Sequence, residues 1–362
     1  MKIEVDVAIL GNSVAANSLA IALARTGTET VVLGTPRRNL SYGEHLKPGV
    51  TAIASSIGLD FASLKGSRIT HGNLSLWGTP EPVAVSYLGY PEGSGHNLDR
   101  DVFDKSLRTA ANRFGSLRID GFKILVARVD KEQTVLTGTL NKCALQVTAK
   151  LAVDASGRSA ALGRRLGARV IAHDRLLALG AIGPATRECD TRLALEAAPD
   201  GWWYAVPIAE DRVIAVFLTD SDLLPAGMAK RCALWKDELK RTRLIASRMS
   251  QGAGETYLHQ ADSRSLWLTP QGARGWIAIG DAAMAFDPIS GSGITKAMAD
   301  AGETAEAIAC QLAGDGGPMA RLLARRRSRF ESYLAERAAI YRAATPPERG
   351  EFWSRRLTHT QP

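Results

Sequence analysis

The sequence predicts an α/β fold with a parallel sheet, a second and mostly β domain, and a helical C-terminal tail. The first observation is an apolar segment, Val5–Leu10, that enters a glycine turn and then a helical pattern. The second is a later apolar segment, Trp276–Ile279, that also ends in a glycine and an acid. The third is a series of short β-branched and aromatic segments between them. Such alternation is typical of two-domain α/β proteins.

The N-terminal elements predict a βαβ unit. Val5–Leu10 is apolar enough for a central strand, and the alanine-rich segment Ser13–Arg25 predicts a helix that ends at Gly27. Thr30–Leu33 predicts the second strand. A strand, a glycine turn and a helix in this order begin a Rossmann-like fold, whose backbone N–H groups face a pyrophosphate.

The glycine turn reads Gly11-x-Ser13-x-x-Ala16, so it keeps one of the three glycines of the dinucleotide fingerprint. We expect cofactor contacts from four of its residues, namely Gly11, Ser13, Ala15 and Ala16. The acid expected at the end of the second strand is missing, because Gly34-Thr35 stands there. The carboxylate that binds the adenosine ribose is therefore absent or supplied elsewhere. The following Arg37-Arg38 either contact the cofactor or are solvated.

The second strand–glycine–acid unit predicts the other half of the same site. Asp281 follows Gly280, and we expect it to accept hydrogen bonds from a ribityl chain, although a plain helix N-cap is the alternative. We expect the loop after Asp287 to bring the start of the helix over 294–312 to the isoalloxazine ring of a flavin. The predicted contacts there are Pro288, Gly291, Ser292, Gly293 and Ile294. Two such units on one site predict a single long dinucleotide, FAD, bound non-covalently.

Three further residues extend the predicted cofactor site. The strand Leu151–Asp154 ends in an acid and is followed by Gly157. Arg100 stands at the head of a helix predicted over 101–114, where it covers the ribityl or phosphate region. The alternative for Arg100 is a surface salt bridge with Asp104, four residues later.

The second domain supplies the predicted substrate contacts. Trp202–Pro207 predicts a strand and Val213–Leu218 its return. Because side chains alternate along a strand, Trp202 and Tyr204 share one face and Trp203 takes the other. We predict Trp77, Trp202 and Tyr204 as substrate contacts. The predicted ranges are 1–70, 98–172 and 262–316 for the FAD-binding domain, 71–97 and 173–261 for the substrate domain, and 317–362 for the tail.

Composition excludes several other classes of protein. The chain has 362 residues, 45% of them hydrophobic, and a net charge of +8 that suits acidic partners or a solvated basic surface. Its four cysteines are scattered, which argues against disulfides and a zinc site. We expect no signal peptide, no membrane span and no nucleic-acid module, and therefore a cytoplasmic protein.

The loop before Pro48 holds the candidate catalytic residues Glu44, His45 and Lys47. We expect His45 to act as a general base, with a pKa suited to neutral pH. Lys47 is expected to interact with oxygen or a peroxide. The alternative for His45 and Lys47 is a solvated loop side chain.

The combined motifs resemble those of FAD-dependent monooxygenases related to tryptophan halogenases. The resemblance is closest to flavoproteins that mature quinone cofactors, such as the lysine ε-oxidase maturation factors, and it covers nearly the whole chain. The motifs that carry it are Gly11–Ala16, Gly43-Glu44-x-Leu46-x-Pro48, Leu98-Asp99-Arg100, Asp154–Arg158, Gly201–Pro207 and Gly280–Pro288.

This resemblance implies a glutathione-reductase-like and aromatic-hydroxylase-like FAD domain. It also implies that reduced FAD reacts with O2 to give a C4a-hydroperoxide that oxygenates an aromatic ring. NAD(P)H or a partner reductase would supply the electrons. In the maturation subgroup, the ring belongs to a tryptophan of a partner protein or peptide.

Two departures from the halogenase pattern favour hydroxylation. Ser290 stands where the halogenases carry a glutamate, and the stretch 71–92 has no lysine to relay hypohalous acid. Flavin-dependent halogenation and small-molecule hydroxylation remain alternatives. A non-catalytic assembly chaperone and an alkene-reducing enzyme similar to geranylgeranyl reductase are further alternatives.

Overall fold

The structure is a computed structural model that describes residues 1–34, 44–131, 133–250 and 257–358. Arg37, Arg38 and Gly43, the first residue of the loop motif, lie outside the described residues. The strands, in chain order, are β1 (Lys2–Leu10), β2 (Thr30–Gly34), β3 (Glu44–Leu46), β4 (Ser67–Thr70), β5 (Gly72–Leu76), β6 (Val83–Ser86), β7 (Gly95–Leu98), β8 (Leu117–Asp120), β9 (Lys123–Asp130), β10 (Gln133–Leu140), β11 (Cys143–Asp154), β12 (Arg169–Ala172), β13 (Leu176–Pro184), β14 (Leu193–Ala198), β15 (Gly201–Pro207), β16 (Arg212–Asp220), β17 (His259–Asp262), β18 (Leu266–Thr269), β19 (Gly272–Ala273), β20 (Trp276–Ala278) and β21 (Met284–Ala285). The helices are α1 (Val14–Ala24), α2 (Val50–Ser56), α3 (Arg100–Asn112), α4 (Ala161–Arg165), α5 (Met228–Arg241), α6 (Gly293–Leu312), α7 (Gly317–Arg342) and α8 (Glu351–Thr358).

The first sheet has the parallel core that the sequence predicts. Its central order is β19-β20-β11-β1-β2-β8, and β1 pairs in parallel with both β11 and β2. Alternate residues of β1 enter two separate cores, since Val7 and Ile9 pack on one face while Ala8 and Leu10 pack on the other. Burial on both faces explains the continuous apolar pattern of this strand. The predicted α/β fold class is thus confirmed.

Strand β11 is longer than the sequence predicts. The predicted strand Leu151–Asp154 is the last third of β11, which begins at Cys143. Lys150 lies on its exposed side while the residues on either side of it are buried, so the polar interruption is ordinary strand alternation. Pro318 lies in the first turn of α7, after the break that follows α6. A proline is tolerated there because the first turn has no partner for its N–H.

The second sheet has the order β17-β13-β16-β15-β14-β5-β6 and is mostly antiparallel. Apart from the last residue of β17, its strands fall in the two ranges predicted for the substrate domain. One face packs against α5, and Trp203 lies there with Phe217 and Trp235. The opposite face holds Trp202.

The C-terminal tail packs on both sheets. Helix α7 lies against α6, and α8 buries Phe352 and Trp353 against the Trp202 face of the second sheet. Among the described residues, no helix is both long and apolar enough to cross a bilayer. The same residues contain no group of three His, Cys, Asp or Glu side chains placed to hold a metal ion.

Candidate cofactor and substrate site

Three loops meet at the carboxyl ends of β1, β11 and β20. Gly11 has a φ of +142°, and a Cβ added to it would lie 2.2 Å from the carbonyl oxygen of Ala155. The Ser13 hydroxyl donates to that same oxygen at 2.9 Å and accepts from the N–H of Ala16 at 3.2 Å. The turn after β1 is therefore fixed to the turn after β11 with almost no space between the backbones.

The third loop enters through Gly280. This residue has a φ of +58°, and a Cβ on it would lie 2.8 Å from the Cβ of Ala15 on α1. Its N–H donates to a carboxylate oxygen of Asp300 at 2.8 Å. Distant glycine turns thus converge on one edge of the parallel sheet, where open α/β sheets bind their ligands.

Asp154 has a different role from the one that the sequence predicted. Its carboxylate is fully buried and accepts from the N–H groups of Ser156, Leu162 and Gly163 at 3.0, 2.9 and 2.8 Å. Burial raises the pKa of this carboxyl, against the effect of those donors. The side chain fixes the loop and the start of α4, so we correct its assignment from cofactor contact to loop support. Gly157, the other predicted contact of this loop, has a φ of +69°.

A cavity of about 500 Å³ lies between the sheets. It brings together most of the residues that the sequence singles out, from β3, α3, β15 and the loop before α6. These are Glu44, His45, Lys47, Arg100, Trp202, Tyr204, Asp281, Pro288, Gly291, Ser292 and Gly293. The volume is in the range of small-molecule and cofactor sites.

Asp281 is held in the ionised form by two cations. Lys296 donates to its Oδ1 at 3.1 Å, and the Arg158 guanidinium lies 3.8 Å from its Oδ2. Burial would raise the pKa of this carboxyl, but the two cations outweigh burial and lower it. Sequence reasoning missed Lys296 and Arg158. The available signal was a lysine at a buried position of the helix after the loop, between Ile294 and Met298.

The N-terminus of α6 opens into the cavity. Gly291 takes a left-handed φ of +59°, and Ser292 and Gly293 line the wall. Within the described chain, the Ser292 side chain makes no capping hydrogen bond, and the first turn of α6 has no acid. The positive end of this helix is therefore available to a negatively charged group.

Glu44 and Arg100 form an ion pair at another wall. Arg100 also donates to Asp104 at 3.1 Å, which is the salt bridge weighed as the alternative for this arginine. Burial raises the pKa of Glu44, while the charge of Arg100 opposes that rise. The Glu44 side chain keeps 35% exposure, so its carboxylate is still accessible from the cavity.

His45 is not the neutral-pH base that the sequence predicts. The Asn97 amide donates to the carbonyl of Thr191 at 2.7 Å, so its oxygen accepts from His45 Nδ1 at 2.9 Å. His45 Nε2 then accepts from the Tyr87 hydroxyl at 2.9 Å. Burial lowers the pKa of His45 to about 4. The imidazole is neutral at pH 7, with both nitrogens occupied, and it positions the hydroxyl of Tyr87 beside the cavity.

Lys47 joins two loops. Its ammonium group donates to the carbonyl oxygen of Ser290 at 3.1 Å. Both residues also line an adjoining cavity of about 340 Å³, in which Arg329 and Arg337 are further cations. Lys47 therefore forms part of the wall between the two cavities.

The aromatic wall comes from β15. Trp202 and Tyr204 face the cavity with ring centroids 6.1 Å apart, and Trp203 lies in the opposite core, as predicted. Trp77 is a correction, because the described residues that line the cavity do not include it. Its indole N–H donates to the carbonyl of Ile340 at 2.9 Å, and its ring packs on Trp353 at 5.7 Å. Trp77 anchors the tail.

A family comparison decides the class of protein. The model of the FAD binding domain family matches residues 4–346. The chain belongs to the FAD binding domain family. This confirms the predicted flavoprotein superfamily and its oxidoreductase class.

Individual relatives agree with this membership. LodB of Marinomonas mediterranea, named as an FAD-dependent oxidoreductase, is 26% identical over 312 residues, which cover 84% of each chain. The myxobacterial chondrochloren halogenase CndH has the same fold, with a TM-score of 0.86, 21% identity, and coverage of 99% of this chain and 87% of that one. The peptidyl tryptophan dihydroxylase QhpG gives a TM-score of 0.79 at 21% identity, with coverage of 99% and 80%.

The residues present fit FAD. The close packing of the glycine turns brings the start of α1 to the sheet edge, where a dinucleotide fold binds its pyrophosphate, and the ionised Asp281 suits a ribityl hydroxyl. The uncapped start of α6 suits the pyrimidine edge of a flavin, which carries negative charge when reduced.

Proposed function

We propose that this chain is an FAD-dependent monooxygenase that hydroxylates an aromatic ring, namely a tryptophan side chain of a partner protein or peptide, during maturation of a quinone cofactor. The observation that carries the proposal is the cavity itself. It has the free N-terminus of α6 on one wall and the rings of Trp202 and Tyr204 on another. A flavin at the helix end would thus have an aromatic substrate site beside it.

The proposed reaction balances with two co-substrates, O2 and NAD(P)H. One oxygen atom of O2 enters a ring C–H bond as a hydroxyl group, and the other leaves as water. NAD(P)H, directly or through a partner reductase, gives the two electrons. Bound FAD supplies the oxygen activation, and the protein supplies binding, orientation and electrostatics.

The chain's own residues divide the remaining work. Asp281 holds the cofactor, with Lys296 and Arg158 keeping its carboxylate ionised. Trp202 and Tyr204 orient the substrate ring. Glu44 is the best-placed group to take the ring proton, since burial raises its pKa and it faces the cavity.

The relatives support a protein-borne substrate. The name of QhpG describes a peptidyl tryptophan dihydroxylase essential for tryptophylquinone cofactor biogenesis. LodB, at 26% identity, is named as an FAD-dependent oxidoreductase. Apart from its charged residues, the cavity of this chain has an aromatic and apolar wall that includes Leu193 and Leu195, and this wall suits an indole ring.

Mass spectrometry tests the proposal directly. The FAD-loaded protein, NAD(P)H, a flavin reductase and 18O2 are incubated with a tryptophan-containing peptide, with its phenylalanine analogue and with free tryptophan. We expect a labelled oxygen on the tryptophan of the peptide only. Glu44→Gln should slow this reaction about 100-fold, while Glu81→Gln, which is 81% exposed and remote from the cavity, should not. Labelling of free small aromatics alone would contradict a protein substrate.

Halogenation is the second candidate. The observation that favours it is the adjoining cavity of about 340 Å³, where Lys47 would attract a halide ion, while the other two cations there, Arg329 and Arg337, already pair with Glu303 and Asp174. Adding bromide to the same assay separates the two candidates, because a brominated product would replace the hydroxylated one.

A further inference from the structure

We propose that Asp120, at the end of β8, holds the adenosine ribose of FAD in place of the acid that a dinucleotide fold carries at the end of β2. The inference rests on FAD being the cofactor and is independent of the reaction proposed above. It explains where the carboxylate missing from the second strand has gone.

The strand register puts Asp120 in the right place. In dinucleotide folds, an acid about 20 residues after the glycine turn hydrogen-bonds the ribose hydroxyls. Strand β2 of this chain ends instead at Gly34. Gly34 pairs with Asp120 in the parallel ladder between β2 and β8. The carboxylate therefore lies at the same edge of the sheet, one strand further out.

Gly34 makes room for this carboxylate. A Cβ added to Gly34 would lie 2.2 Å from Oδ1 of Asp120. The φ of Gly34 is outside the left-handed region, so the backbone does not require a glycine there. The Asp120 carboxylate thus occupies the space that a side chain at position 34 would fill. A larger residue at position 34 would exclude Asp120 from it.

Arg118 connects Asp120 to the glycine turn. Its guanidinium lies 3.8 Å from Oδ1 of Asp120 and donates to the Asn12 side chain at 3.2 Å. It also donates to the Asn17 side chain on α1 at 2.5 Å. The Arg118 side chain is 8% exposed, whereas that of Asp120 is 54% exposed. A buried cation thus fixes the carboxylate relative to the pyrophosphate turn and leaves it open to a hydroxyl ligand.

Flavin binding to the flavin-free protein tests this role without any turnover. Dissociation constants for FAD and FMN are measured by quenching of flavin fluorescence. Asp120→Asn should weaken FAD binding about tenfold or more, the usual loss for a charged hydrogen bond. It should leave FMN binding unchanged, because FMN has no adenosine. Asp130→Asn, at the exposed end of β9, is the matched control and should change neither constant.

A pair of variants that moves the acid from β8 to β2 gives the decisive comparison. Gly34→Glu alone should weaken FAD binding because the new side chain collides with Asp120. The double variant Gly34→Glu/Asp120→Gly should recover FAD affinity to within about threefold of the wild type, since the acid returns to β2. Unchanged FAD binding in Asp120→Asn, or no recovery in the double variant, would overturn the role of Asp120. A wild-type protein that binds neither flavin would instead refute the cofactor, which is a separate outcome.

Discussion

Arg326 of α7 and Asp300 of α6 form an ion pair of 2.7 Å in which neither side chain is exposed to solvent. The other oxygen of Asp300 accepts from the N–H of Gly280, and Arg326 also donates to the carbonyl of Ala278 at 2.8 Å. The pair therefore fixes the end of β20, the turn that delivers Asp281 to the cavity. Through it, the tail supports the cofactor site.

Removing the cation of this pair should destabilise the fold strongly. In Arg326→Met, the carboxylate of Asp300 stays buried without its partner, which costs about 3–5 kcal/mol in comparable pairs. Urea denaturation measures the loss in the free energy of unfolding. Arg327→Met removes the next arginine, whose side chain is 77% exposed, and should cost less than about 1 kcal/mol. Equal losses in the two variants would contradict the role of the buried pair.

Trp77 should matter to stability and not to flavin binding. Trp77→Leu removes the hydrogen bond to Ile340 and the ring contact with Trp353, so we expect a loss of about 1–3 kcal/mol. Limited proteolysis should cleave α8 faster, while the flavin dissociation constant stays the same. Weaker flavin binding in a variant whose tail is still protected from proteolysis would mean that Trp77 belongs to the cavity wall after all.

The parts of the fold that follow from local patterns could be predicted. Strand β1, helix α1 and the Gly280 turn each have a pattern that is readable within a dozen residues. Because parallel strands end at the same edge, their loops had to meet there. The alternation along β15 likewise assigned Trp202 and Trp203 to opposite faces.

The misassigned residues depend on contacts between distant segments. Trp77 faces the tail, and no local pattern encodes a contact with Ile340. Asp154 bonds backbone N–H groups of the following helix instead of a ligand. The low pKa of His45 follows from burial beside Tyr87 and Asn97, which come from other elements. Strand pairing alone reveals Asp120 next to Gly34.

The imidazole of His45 should stay neutral across the physiological range. Burial lowers its pKa to about 4, because a charged ring would lose its hydration. We expect its ring carbon NMR signals to stay constant between about pH 5.5 and 8, and His45→Gln identifies those signals by their disappearance. A titration with a midpoint near 6.5 would contradict this assignment.

Asp287 should make the stability of the fold decrease as the pH rises through the weakly acidic range. Its carboxylate is 1% exposed and accepts from the Tyr341 hydroxyl at 2.7 Å and the Ile289 N–H at 2.9 Å. Burial, with a smaller contribution from the Asp174 charge, raises the pKa of Asp287 to about 6. The folded protein therefore keeps this proton up to about pH 6, whereas the unfolded chain releases it near pH 3.8.

Between about pH 4 and 6, the folded state binds more protons at Asp287, so its contribution to stability falls as pH rises. A shift of about two pKa units corresponds to about 3 kcal/mol. Asp287→Asn removes this contribution. In urea unfolding, the free energy of unfolding of the variant relative to that of the wild type should therefore increase between about pH 4 and 6. Effects of other groups, including His45, cancel in that difference. Asp130→Asn should keep the wild-type slope, and a constant difference for Asp287→Asn would mean that its carboxylate does not titrate in this range.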